Sequence, residues 1–228
     1  SIAINPSLYP KLPYDPARDF APVTLIAAAP YLLLVPPAVP ARTVRELVAL
    51  AKSKPGQLNY ASTGSGSLPH LAMELFKSMA GVDIVHVAYR GIGPAVVDLL
   101  SGQAQVMFLG MVSSQAQVKA GKLHAIAITG AKRSRVMPDL ATVAESGLPG
   151  FDVTGWYGVF VPQGTPAAII ARLQTQIATI LRMPDVGSRL ASDGADVGGD
   201  SPAKFAAFVK SESAKWAKVV KISGVRAN

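Results

Sequence analysis

Leu58-Asn59-Tyr60-Ala61-Ser62-Thr63-Gly64-Ser65-Gly66-Ser67-Leu68-Pro69-His70 passes from a short apolar run, through a turn of glycines and hydroxyls, into a helical pattern. Residues 58–62 read as a strand, and Ser67 caps a helix that runs through Met79 and stops at Gly81. The same sequence of events recurs downstream. Residues 84–89 form a strand candidate, and Gly93-Pro94 opens a helix ended by Gly102. Residues 105–109 form the next strand, with Ser113 or Ser114 capping a helix ended by Gly121, before a strand at 123–129. Four strands alternating with helices predict βαβ units and a mainly parallel sheet, whose buried strands read as continuous apolar runs.

Outward from this block, Thr43 and Glu46 form a capping box for a helix toward Ser53, and Thr142 with Glu145 forms a second. Thr165-Pro166 and Ser201-Pro202 open two long helices, since proline suits the first helical position. Two longer extended segments, 23–37 and 153–162, bracket the block and read as strands that leave one lobe for another and return. Residues 1–28 and the two C-terminal helices would share the first lobe. Ser1-Ile2-Ala3-Ile4-Asn5 reads like the middle of a strand and turn, as if something preceded it.

Composition narrows the function. The chain has 228 residues, 50% hydrophobic and 16% charged, which supports a real core and excludes disorder. No apolar run reaches the ~18 residues of a membrane span, because Pro30 and Pro36-Pro37 interrupt the richest one. Cysteine is absent, which removes disulfides, thiol nucleophiles and Cys-ligated metals. The net charge of +8 suits an anionic partner. It is not a nucleic-acid footprint: the basic residues are dispersed, and the one dense cluster, Lys132-Arg133-Ser134-Arg135, falls in a post-strand loop.

The turn Thr63-Gly64-Ser65-Gly66-Ser67 is the sharpest chemical feature. Glycines let backbone N–H groups turn toward one point, hydroxyls add donors, and the following helix brings its positive dipole end. Lacking a following lysine, it is no P-loop. A plain helix-capping turn would use the same residues. Tyr89-Arg90-Gly91 repeats the arrangement one strand later, and Arg90 offers a bidentate contact to a carboxylate or a solvated loop charge. Strand ends of a parallel sheet share one edge, where ligands bind in open α/β folds. His70, in the first turn after the loop, either faces a ligand or caps and packs. Trp156 and Tyr157 are candidates for a cleft wall or for core between lobes; His86 and His124 read as structural.

Catalytic machinery is hard to assemble. No pair of histidines or pair of acids has metal-ligand spacing on one helix, and no serine sits in a nucleophile elbow. No catalytic residue, metal or cofactor is expected. Two readings besides a carboxylate receptor stay open: an α/β enzyme acting on a small anion through the same loops, with His70 as its base, and an interaction protein with an empty cleft.

Several segments resemble a known family: Ile4-Asn5-Pro6-Ser7-Leu8-Tyr9-Pro10-Lys11-Leu12-Pro13-Tyr14-Asp15 with Arg18-Asp19-Phe20-Ala21-Pro22-Val23; Pro55-Gly56-Gln57-Leu58-Asn59-Tyr60-Ala61-Ser62; Thr142-Val143-Ala144-Glu145-Ser146-Gly147-Leu148-Pro149-Gly150; and Trp156-Tyr157-Gly158 with Val161-Pro162. Along its whole length the chain is similar to the substrate-binding proteins of tripartite tricarboxylate transporters, the Bug or TctC-like family. The resemblance implies a non-enzymatic, monomeric periplasmic receptor. Its fold would be the α/β type II periplasmic-binding-protein fold, two lobes joined by crossing strands and closing on a small mono-, di- or aromatic carboxylate for delivery to the transporter's membrane permease. Residues 1–34 and 158–228 would form the first lobe and 35–157 the second. By position, Thr63, Gly64, Ser65, Gly66 and Ser67 match the second-lobe binding loop. Tyr89, Arg90 and Gly91 match a second contact, and Ala27 and Ala28 match a first-lobe loop. The family's usual opening strand and loop do not precede Ser1, so part of the first lobe is expected to be absent. Leu109-Gly110 stands where relatives often carry Asp and a polar neighbour, which tilts the expectation toward a plain organic acid over an amino acid.

Overall fold

The computed structural model describes residues 2–226. The chain divides into two compact units, one of residues 1–29 with 155–228 and one of residues 30–154. Ser1 lies outside the described residues, and residues 2–5, expected as the middle of a strand and turn, form no strand. A turn leads into α1 (Asn5–Leu8), with Pro6 in its first turn. α2 (Pro16–Asp19) is capped by Asp15, whose side chain accepts from the amides of Ala17 and Arg18. β1 (Phe20–Val35) is a 16-residue strand whose first part belongs to one unit and whose end belongs to the other.

In the unit of residues 30–154, β1 is followed by α3 (Val44–Ser53), and both bonds of the Thr43–Glu46 capping box are present. Next come β2 (Asn59–Ser62), α4 (Leu68–Ala80), β3 (Val85–Ala88), α5 (Ile92–Ser101), β4 (Val106–Gly110), α6 (Met111–Lys119) and β5 (His124–Ile128). The strand order is β3-β2-β4-β1-β5. β2 pairs in parallel with both β3 and β4, as expected, whereas β1 is inserted antiparallel between β4 and β5.

Period-two alternation sorts the sheet into two faces. Leu32 and Leu34 of β1, Ala61 of β2, and Met107 and Leu109 of β4 join Ala95 and Leu99 of α5 in one buried cluster. Phe108 meets Phe76 of α4 edge-on at 6.2 Å and stacks on Phe151 at 5.9 Å. Each such fully buried phenylalanine is worth about 3–5 kcal/mol against alanine.

Two expected helix starts shift and a third opens no helix. α5 begins at Ile92, with Gly91 rather than Gly93-Pro94 at the cap. Pro94 is tolerated because its missing N–H falls in the first turn. α6 begins at Met111 with Gly110 as its N-cap, while Ser114 Oγ folds back onto the carbonyls of Gly110 and Met111 at 3.0 Å each. That is back-bonding within a helix, not capping. Thr142 and Glu145 do exchange both bonds of a capping box, at 2.9 and 3.0 Å, but the box closes a turn and no helix follows.

In the other unit, β6 (Thr154–Pro162) pairs with β1. Beyond it lie α7 (Ala167–Leu181), α8 (Pro184–Ser192), β7 (Asp196–Val197) and α9 (Pro202–Ser223). Ala27 and Ala28, expected in a loop, are strand residues paired with Val197 and Asp196. Gly198 and Gly199 extend this contact by donating to Ile26 and Leu25 at 2.8 Å. α9 buries Phe205, Trp216, Val219 and Val220.

Candidate functional site

Because β2, β3 and β4 run parallel, their C-terminal ends line one edge of the sheet in the unit of residues 30–154, and each leads into a helix N-terminus. The loops 63–67 and 89–91 meet there. The Tyr89 amide donates to Ser62 O at 3.1 Å, and the Tyr89 carbonyl lies 3.6 Å from the point a Cβ on Gly64 would occupy. β1 brings Tyr31 to the same edge opposite Gly110, its amide donating to Thr129 Oγ1 at 2.7 Å.

Within the loop, three amides are already used. Gly64 N donates to Ser62 Oγ at 3.2 Å, Gly66 N to His70 Nδ1 at 2.9 Å, and Ser67 N to Gly64 O at 3.1 Å. The expectation that both glycine amides face a ligand is therefore corrected: these bonds hold the loop's shape. The donors left in the loop are the amides of Thr63 and Ser65 and the side chains. The hydroxyls of Thr63 and Ser65 make no hydrogen bond among the described residues. Ser67 holds the N-cap position of α4 without making the cap bond, and its Oγ is buried with no partner. A buried hydroxyl without a partner is rare in folded proteins and calls for an explanation.

On the next loop, Gly91 has φ 115°, a conformation suited to glycine, and caps α5. Arg90 is exposed, so its guanidinium is available to an anion. Tyr89 is turned back on its helix: its hydroxyl donates to Asp98 Oδ2 at 2.7 Å, and burial together with that carboxylate pushes its pKa up to about 12.

His70 is 6% exposed, and its Nδ1 is taken by Gly66. It packs and holds the loop. Sequence reasoning missed its companions. His86 stacks on His70 with centroids 3.8 Å apart and on Tyr60 at 4.7 Å, and His86 Nε2 lies 2.7 Å from Ser62 Oγ. The Tyr60 hydroxyl donates to Glu74 Oε1 at 2.6 Å, and Lys77 Nζ meets the same oxygen at 2.8 Å. Two signals pointed to this column. His70, Glu74 and Lys77 recur at i, i+4 and i+7, one helix face, and β2–β3 pairing puts Tyr60 beside His86. Burial lowers the pKa of both imidazoles, that of His86 to about 4, and raises that of Tyr60.

Ser62 and His86 resemble a nucleophile–base pair, but Ser62 is fully buried. Among the described residues, no group of three or more His, Asp or Glu side chains could hold a metal. What the edge offers is anion recognition by hydroxyls, a guanidinium and helix N-termini.

The remaining sequence candidates, Ala27, Ala28, Trp156 and Tyr157, lie in the other unit. Trp156 meets Phe205 and Phe208 edge-on at 5.8 and 5.4 Å, whereas Tyr157 is 71% exposed.

The family model described as "Tripartite tricarboxylate transporter family receptor" (TctC) matches residues 1–225. The chain belongs to this family. It is 37% identical over 220 residues to the "UPF0065 protein in tcbD-tcbE intergenic region" of Pseudomonas sp. (strain P51), covering 96% of this chain and 66% of that protein. It is 33% identical over 225 residues to Protein BugT of Bordetella pertussis, covering 99% and 69%. The chain thus spans about two thirds of the length of these curated relatives. Among solved structures it is similar to "R. palustris Rpa4515 with adipate", at TM-score 0.90 and 37% identity over 99% of this chain and 76% of that one. MatC of Rhodopseudomonas palustris with bound malate matches at TM-score 0.84 and 35% identity, over 96% and 76%. The periplasmic binding protein BugD matches at 0.87 and 30%, over 100% and 77%. The fold is that of these periplasmic binding proteins, and the family and its solved neighbours are solute receptors rather than enzymes. Among the described residues no helix is long and apolar enough to cross a membrane.

Proposed function

We propose that this chain is the periplasmic receptor of a tripartite tricarboxylate transporter, binding a small organic carboxylate and passing it to the membrane permease as a monomer. The two units are its lobes in this reading. The loop 63–67 and residues Tyr89, Arg90 and Gly91 supply binding groups from the unit of residues 30–154. Family membership supports the receptor role, and neighbours solved with adipate and malate support a carboxylate.

One observation of the site carries the reading: Ser67 Oγ is buried and unpartnered at the N-terminus of a 13-residue helix, beside two further helix starts. A carboxylate oxygen would satisfy that hydroxyl. The helix ends would stabilise its charge by roughly 0.3–1 kcal/mol each when exposed, and more when partly buried.

Thermal unfolding in the presence of mono-, di- and aromatic carboxylates tests this. A ligand bound only by the native state at one hundred times its Kd adds about 2.7 kcal/mol. Adipate, malate or a related acid should raise the midpoint by several degrees; absence of any shift across the whole panel would overturn the reading.

A further inference from the structure

The two imidazoles under the carboxylate loop tie down its two glycines. Gly66 N–H donates to His70 Nδ1 at 2.9 Å. Gly64 N–H donates to Ser62 Oγ at 3.2 Å, and that hydroxyl lies 2.7 Å from His86 Nε2. The rings stack with centroids 3.8 Å apart and planes 18° from parallel. We propose that His70 and His86 are positioning residues for the loop, and that protonating His70 releases Gly66 and weakens carboxylate binding. The inference rests on the reading of loop 63–67 as a carboxylate site.

The proton arithmetic makes His70 the breaking point. As acceptor from Gly66, its Nδ1 is unprotonated, so the neutral ring carries its hydrogen on Nε2. In the imidazolium form Nδ1–H would point at Gly66 N–H, donor against donor, and the tie is lost. His86 tolerates a proton better at its own hydrogen bond, because Ser62 Oγ can accept from Nε2–H and turn its hydrogen to Gly64 O, 3.2 Å away. Its obstacle is the neighbouring ring, since two stacked cations repel.

The other titratable groups facing the pair are Tyr60 from β2 and Glu74 and Lys77 from α4. Glu74 favours the charged imidazoles but is engaged by the Tyr60 hydroxyl and by Lys77, which opposes them. Burial is the largest influence on both rings and keeps them neutral near pH 7. Acidification therefore acts on a loop that is tied at neutral pH.

The test compares the protein with His70→Asn, whose side-chain oxygen can replace Nδ1 as acceptor and does not titrate. Nitrogen-15 spectra of the imidazoles and of Gly66, followed from pH 8 to 4, should show His70 as the Nε2–H tautomer. The Gly66 amide should move with the His70 titration and stay still in His70→Asn. Adipate and malate affinity, measured by calorimetry at pH 7.5 and at a pH below the His70 titration seen in the spectra, should fall by up to about tenfold more in the parent than in His70→Asn, the scale of one lost hydrogen bond. Subtracting the variant also removes the ligand's own protonation. A Gly66 amide indifferent to His70, or an equal loss of affinity in both proteins, overturns the proposal. If Gly66 follows His70 while no carboxylate binds at pH 7.5, the loop tie stands and the receptor reading is what fails.

Discussion

The Trp156 indole donates to Glu212 Oε2 at 3.2 Å, and the same oxygen receives the indole of Trp216 at 3.1 Å. Glu212 is 6% exposed, its other oxygen is paired with Lys215, and Trp156 packs against Phe205 and Phe208. The tryptophan that sequence reasoning weighed as a cleft wall is thus held by α9 through one carboxylate.

Glu212→Ala should cost about 2–4 kcal/mol, because one buried and one half-buried indole donor lose their acceptor. Glu212→Gln keeps an acceptor and should cost less than half as much. Urea unfolding of both variants is the measurement, and similar losses in the two would mean that packing, rather than the shared acceptor, sets the effect.

Gly158 lies against the Phe205 ring so closely that a Cβ there would overlap its edge. Gly158→Ala is expected to destabilise by about 1–3 kcal/mol through overpacking. The double variant with Phe205→Leu should lose less than the sum of the two single changes, since residues in contact couple. Strict additivity in a double-mutant cycle would refute the clash.

Ser67→Ala separates binding from folding. The hydroxyl has no partner to lose, so unfolding free energy should stay within about 0.5 kcal/mol or rise slightly. Carboxylate affinity should fall about tenfold or more, as for a hydrogen bond to a charged group. A variant that loses stability but keeps its affinity for adipate or malate would make Ser67 a structural turn residue.

The histidine pair also predicts how stability depends on pH. Both imidazoles have pKa values below the ordinary value of about 6.5, that of His86 near 4. The unfolded chain therefore takes up protons first. Their contribution is complete above about pH 6.5 and is lost as pH falls toward about 4, below which it no longer changes. His86→Gln, which offers Ser62 a non-titrating acceptor, should lose less stability than the parent between pH 7.5 and 4.5. Parallel curves for the two proteins would contradict this.

Much of the fold was legible because the punctuation is local. The Thr43–Glu46 box, the Gly81 and Gly102 stops and the short apolar runs at 58–62 and 105–109 each act within one turn or strand. What escaped depends on tertiary context. α8, Pro184–Ser192, buries none of its residues fully and carries Gly187, a poor helix former, within it. The antiparallel insertion of β1 is a choice of neighbours, which no local signal encodes. At the site, the glycine and hydroxyl loop could be read from spacing, but the diversion of Gly66 toward His70 needs the ring's rotamer. His86 joined the column only through its β2 neighbour Tyr60.

One strand serves two sheets: Ala27 and Ala28 keep step with β7, and Tyr31 to Leu34 keep step with β4. A frameshift of a single position within it reverses every later side chain, sending Leu32 and Leu34 out of their cluster. Opposite β5 the register skips Ile126 between Leu33 and Leu34, but opposite β4 it runs unbroken, so an extra residue in β1 there would still displace Leu34. Length polymorphism should be purged along Phe20–Val35, and a chain severed within this strand, into a short N-terminal piece and a long remainder, should aggregate when the remainder is expressed alone.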